Sequence, residues 1–125
     1  MRQEKDSLRR RFKSFKYAFN GMKILFREEP NAKIHVFISV GVLVAGFVFR
    51  ISAGEWMAVL LCIGWVIALE ALNSAIENIS DFVSPEKHEM IKKIKDLAAG
   101  AVLLGVIVSV IVGLIVFLPK IIAVF

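Results

Sequence analysis

Leu97-AAGAVLLGVIVSVIVGLIVF-Leu118 is a run of twenty-two residues without one charged side chain, long enough as a helix to cross the ~30 Å hydrocarbon core of a bilayer. Ala101, Gly105, Ser109 and Gly113 recur every four residues along it, a stripe of small side chains that lets another helix approach closely. The composition agrees, since 58% of the 125 residues are hydrophobic against ~45–50% in soluble proteins. The chain therefore reads as one membrane domain, residues 1–125, and its class as all-α integral membrane.

Working back from that run, residues 80–96 form a polar connector with Pro85, His88 and four lysines. Asp96, just ahead of the apolar run, has the position of a helix N-cap. Before the connector a second span covers 56–79, opened by Trp56 at the depth tryptophan favours. The turn Arg50-Ile-Ser-Ala-Gly-Glu55 separates it from a first span over 34–49, in which His35 and Ser39 are the only polar side chains. Lys33 and Arg50 flank that span as snorkelling ends. Pro30 restrains the residue before it and suits a first helical turn, so Glu29 falls at a helix junction. Ahead of it, Leu8, Phe12, Phe15, Phe19, Met22 and Phe26 alternate steps of four and three, giving residues 1–29 the pattern of an amphipathic helix lying in the headgroup plane.

The net charge of +5 is uneven, with ten of the sixteen Lys and Arg residues between Arg2 and Lys33. Such a basic arm suits an anionic membrane surface. It does not suit nucleic acid, because phenylalanines interleave it at helical spacing and no recognition module follows. Four further lysines lie in the second connector, against Arg50 and Lys120 on the other side. The charge count thus predicts a cytoplasmic N-terminus and an outside C-terminus for a multi-pass protein of the cell membrane. Glu29, Glu70, Glu77, Lys95 and Asp96 then gather near the inner surface. The lone Cys62 excludes a disulfide framework and a cysteine-rich metal site.

The end of the second span carries the chemistry. Glu70, Asn73, Ser74, Glu77 and Asp81 follow one another by three or four residues and line one helix face. Glu70 and Glu77 are about 10 Å apart along the axis, which separates their tasks. An ionisable group within a span costs about 2.5–3.5 kcal/mol at the helix centre, so both need partners or water. Carboxylates without thiolate, and without histidines at metal-ligand spacing, favour a hard cation such as Mg²⁺ accompanied by phosphate oxygens. No glycine pair is followed by the Lys-Ser/Thr of a phosphate loop. The residues alone thus specify a membrane protein with an acidic, cation-binding site at the inner surface, and a pore-former or an ion-coupled transporter built on Glu70 stays open beside an enzyme.

Glu70-x-x-Asn73-Ser-Ala-Ile-Glu77, then Asp81, His88 and Lys95-Asp96-x-Ala-Ala-Gly-Ala-Val102, resembles the signature of the small prokaryotic diacylglycerol kinase family, and the likeness extends to Tyr17, Gly21 and Glu29. Glu29-Pro-Asn31 with His35, and Phe117-Leu-Pro-Lys120, resemble its Gram-positive branch, whose members phosphorylate undecaprenol. The resemblance implies a homotrimer with active sites at subunit interfaces, ATP as co-substrate and a membrane lipid alcohol as acceptor, either undecaprenol or, as the alternative, diacylglycerol. By the same resemblance Glu70 is the catalytic base, and Glu29 and Glu77 hold Mg²⁺ on ATP. Lys95 and Asp96 meet the phosphates with Asn73 and Asp81 in support, and Arg10, Tyr17, Glu86 and His88 surround the nucleotide.

Overall fold

The computed structural model describes residues 2–125, which form four helices in chain order: α1 (Arg2–Glu28), α2 (Pro30–Val48), α3 (Ala53–Val83) and α4 (Glu89–Val124). One polar helix followed by three that are long and apolar enough to span a membrane is the expected order. Glu29 breaks the first two helices with an extended backbone (φ −105°, ψ 109°), and Pro30 occupies the first turn of α2, where no amide proton is missed.

The turn after α2 has a definite construction. Arg50 adopts φ +51°, and its amide donates to Phe47 O at 3.3 Å while the Ile51 amide donates to Gly46 O at 3.1 Å. These two bonds are the closing pair of a Schellman motif, in which a left-handed residue lets the chain satisfy the last helical carbonyls. Ser52 then starts α3 as one half of a capping box: its Oγ accepts from the Glu55 amide at 3.2 Å, and its own amide donates to Glu55 Oε1 at 3.0 Å. The second Glu55 oxygen lies 3.2 Å from Lys120 Nζ, which ties the far end of α4 to the start of α3.

Packing is densest between α3 and α4, and α2 leans on α3. Ile51, Val59 and Val116 form the buried cluster near the turn end, with Phe49 and Phe117 packed against it and meeting edge to face at 6.2 Å. Two glycines make the close approaches. A Cβ on Gly105 would lie 2.7 Å from Leu69 Cδ1, and one on Gly46 would lie 2.6 Å from Cη2 of the Trp56 ring. A leucine methyl can swing aside, whereas an indole ring held on two sides cannot. Gly46→Ala is therefore expected to destabilise the fold by about 1–3 kcal/mol, read as a lower unfolding midpoint in detergent. Gly41→Ala in the same helix meets nothing within 4 Å and is expected to leave the midpoint in place.

Two sequence expectations change. The polar stretch 80–96 is mostly helical, since α3 continues to Val83 and α4 already begins at Glu89, leaving a break of only 84–88. Pro85 fixes that break by forcing Ser84 into an extended conformation (φ −144°, ψ 91°), and a helix leaving the hydrocarbon has no reason to unwind in water. Asp96 consequently is not an N-cap. It lies two turns inside α4, and the cap is His88, whose Nδ1 accepts from the Met90 amide at 3.1 Å. The helix that carries the first apolar stretch starts at Pro30, and its 19 residues make about 28 Å.

Candidate active site

The face of α3 from Glu70 to Asp81 meets the first turns of α2 on one side and the start of α4 on the other. Glu70 is 3% exposed, the most buried charged residue of the chain, and its Oε1 lies 3.2 Å from Nε2 of His35 on α2. Where Glu70 acts as an ionised base it has no proton to give, and Nε2 is then the donor. One turn along α3, the buried Ser74 donates its hydroxyl to Glu29 Oε1 at 3.0 Å. Glu29 stands at the α1–α2 junction without capping α2 through its side chain, which leaves its carboxylate directed to α3. Two polar bonds thus join α2 to α3, and each ends on a carboxylate singled out by the sequence.

Asn73 Nδ2 donates to Glu77 Oε1 at 3.4 Å. The other amide atom, Asn73 Oδ1, is buried without a hydrogen-bond partner, an expensive state for an acceptor. Toward the water, Lys95 Nζ donates to Asp81 Oδ1 at 2.5 Å across the α3–α4 pair. Lys92 Nζ donates to Asp96 Oδ2 at 2.6 Å within α4. That hydrogen bond and the Asp96 charge hold the Lys92 ammonium, which lies before the apolar span, above the usual lysine range.

The chain does not assemble all the predicted residues. Arg10 and Tyr17 are exposed on α1, and Glu86 and His88 are exposed in the break before α4. Among the described residues no side-chain hydrogen bond or ion pair joins any of these four to another candidate. Nor do three His, Cys, Asp or Glu side chains cluster as a metal site among the described residues. Sequence reasoning gave no role to two residues that the structure ties to the site. Ser74 was visible on the Glu70 face, but nothing in its spacing pointed to Glu29, 45 positions earlier. His35 carried a signal as the one ionisable group inside the first span.

The donors suit a hard cation. Glu29, Glu77 and the unpartnered Asn73 Oδ1 offer only oxygen donors, the type that Mg²⁺ prefers. A carboxylate as buried as Glu70, anchored through one oxygen, can accept a proton through a fixed geometry.

The chain matches the prokaryotic diacylglycerol kinase family over residues 16–117. It is 41% identical over 116 residues to the undecaprenol kinase of Bacillus subtilis (strain 168), covering 93% of this chain and 94% of that protein. It is also similar to the diacylglycerol kinase of Synechocystis sp., 39% identical over 111 residues, 88% of this chain and 63% of that one. The diacylglycerol kinase of Helicobacter pylori (strain J99) is 31% identical over 99 residues, 79% of this chain and 77% of its own length.

Proposed function

We propose that this chain, which belongs to the prokaryotic diacylglycerol kinase family, transfers the γ-phosphate of ATP to the hydroxyl of undecaprenol at the inner surface of the cell membrane. The observation that carries the choice of lipid is how the polar side chains of α2 are used. His35 is engaged with Glu70, and Ser39 donates its hydroxyl to the His35 carbonyl oxygen at 2.6 Å. Diacylglycerol brings two ester groups that seek polar partners close to its hydroxyl, and here the nearest candidates are already bonded. A polyprenol brings one hydroxyl on a bare chain and asks for none. The strong similarity to an undecaprenol kinase over nearly all of both chains supports the same choice.

Kinetics with the two alcohols side by side, in one detergent, test it. The expected kcat/KM is at least about tenfold higher for undecaprenol, on the order of 1.4 kcal/mol of differential transition-state binding. Equal or reversed preference would return the assignment to diacylglycerol, the substrate named for the Synechocystis and Helicobacter relatives.

In this mechanism Glu70 takes up the proton of the lipid hydroxyl as its oxygen attacks the γ-phosphorus and ADP departs. Phosphoryl transfer depends mainly on positioning and charge neutralisation, and the residues divide along those lines. Glu29 and Glu77 would hold Mg²⁺, which supplies charge neutralisation on the ATP phosphates, with Asn73 in support through its bond to Glu77. Lys95, aligned by Asp81, offers an ammonium to the transferring group, and Asp96 shares the phosphate end. Arg10, Tyr17, Glu86 and His88 contact the nucleotide. In this reading the complete site forms in a homotrimer, as the family resemblance implies, with residues from different subunits meeting at the interfaces; the separation of those four from the carboxylates within one chain supports it.

The helix α1 lies on the membrane. Phe12 and Phe19 are each 74% exposed on the stripe opposite most of its cations, and rings so placed belong in the acyl boundary. Its basic charge, with the lysines before and at the start of α4, sets the N-terminus in the cytoplasm, where ATP is available, and the C-terminus outside.

A further inference from the structure

The His35 ring stands between Glu70 and the space that a lipid chain can enter. The Glu70 side chain is 4% exposed and that of His35 21%. A cavity of about 250 Å³ lies among α2, α3 and α4, lined by His35, Val42, Val66 and Val106 among others, and Glu70 is not part of its wall. Its volume is below the ~300–1,000 Å³ of pockets that enclose a whole ligand, and suits the hydroxyl end of a chain whose remainder stays in the bilayer. With Nε2 donating to Glu70, Nδ1 is the acceptor nitrogen of the neutral ring. Among the described residues no hydrogen bond reaches Nδ1, and the Ser39 hydroxyl, one turn on, donates to the His35 carbonyl oxygen instead.

We propose that His35 is the catalytic residue that touches the lipid hydroxyl, and that Glu70 receives the proton through the imidazole. This rests on the reading of Glu70 as the ultimate base. In the step, the lipid O–H bond breaks as its oxygen bonds to the γ-phosphorus, and the proton goes to Nδ1. The proton on Nε2 passes to Glu70 Oε1, so the ring ends neutral in its other tautomer and the carboxylate ends as the acid. The bond from the γ-phosphorus to the bridging oxygen breaks with its electron pair leaving on ADP. The pair resets when Glu70 returns its proton to Nε2 and the ring, doubly protonated for that moment, releases the Nδ1 proton to water, which restores the carboxylate and the starting tautomer. A buried carboxylate thereby acts on a hydroxyl it does not touch.

The test compares His35→Gln, His35→Ala and Glu70→Gln in purified enzyme with undecaprenol and MgATP, with folding checked by the melting of the helical circular dichroism signal. Gln keeps an N–H donor for Glu70 but cannot take a proton at one atom and release it at another. Both His35 variants are expected to lose about a hundredfold in kcat at unchanged KM for ATP. Added imidazole, entering the vacated space, is expected to restore His35→Ala about tenfold and to leave His35→Gln and Glu70→Gln unmoved. A His35→Gln enzyme within about threefold of wild type would overturn the relay and leave His35 a positioning group, and so would a folded His35→Ala that imidazole does not rescue. Should His35→Gln not fold, the imidazole experiment on His35→Ala decides alone. Wild-type turnover in Glu70→Gln is a different failure, which removes the base reading itself whatever His35 does.

Discussion

Glu70→Gln is expected to lower turnover by about 10³-fold, roughly 4 kcal/mol in activation free energy, while ATP still binds. The substitution is close to isosteric, and the amide oxygen can still accept from His35 Nε2, which lies 3.2 Å from the native carboxylate. The α2–α3 junction therefore survives, and only the basicity is lost. In the proposed mechanism the carboxylate serves the lipid and not the nucleotide, so the loss should appear in the single-turnover rate, with the ATP dissociation constant in place. An enzyme that keeps most of its turnover would show that another group is the base.

Glu77→Gln and Glu29→Gln are expected to cost about 10²–10³-fold by a different route, since in the proposed site each removes a negative ligand to the cation on ATP. Their surroundings stay intact: the new amide oxygens can accept from Asn73 Nδ2 and from Ser74 Oγ as the carboxylates do. The loss should appear as weakened MgATP binding together with slower transfer, and raised Mg²⁺ should restore part of it. In Glu70→Gln the same addition should restore nothing, which separates the two roles in one titration series. Full activity of both variants at ordinary Mg²⁺ would remove the metal-site reading.

The order of the helices was legible because each of its signals is local. An uncharged run from Leu97 to Leu118, a proline after Glu29 and a Ser52/Glu55 pair act within a few residues of themselves. The extent of the helices was less so. Charge marks where the bilayer ends, not where a helix ends, and so the polar residues from Glu89 to Asp96 concealed two turns of α4. In the site, Glu70, Asn73, Ser74 and Glu77 were visible as one face because 3.6-residue periodicity carries that information. Their partners were not visible. The pairing of His35 with Glu70 and of Glu29 with Ser74 depends on how far α2 slides along α3, a register set by contacts such as Gly46 against Trp56. Arg10 and Tyr17 stay exposed on α1, and no side-chain bond among the described residues ties them to the other candidates.

The depth of the His35–Glu70 contact has a consequence for the product. His35 lies five residues into α2, about 7.5 Å along the axis from Pro30, at a level where an alcohol hydroxyl rests without strain. A phosphate monoester formed there carries between one and two negative charges, and hydration favours moving such a group outward by several kcal/mol. Chemistry therefore changes the depth at which the lipid is at ease. The phosphorylated head is drawn toward the aqueous ends of α3 and α4 while its chain stays embedded, so departure follows from solvation and needs no moving lid. In the proposed reaction the same gradient opposes re-entry of the charged head, so the reverse transfer is expected to be slow.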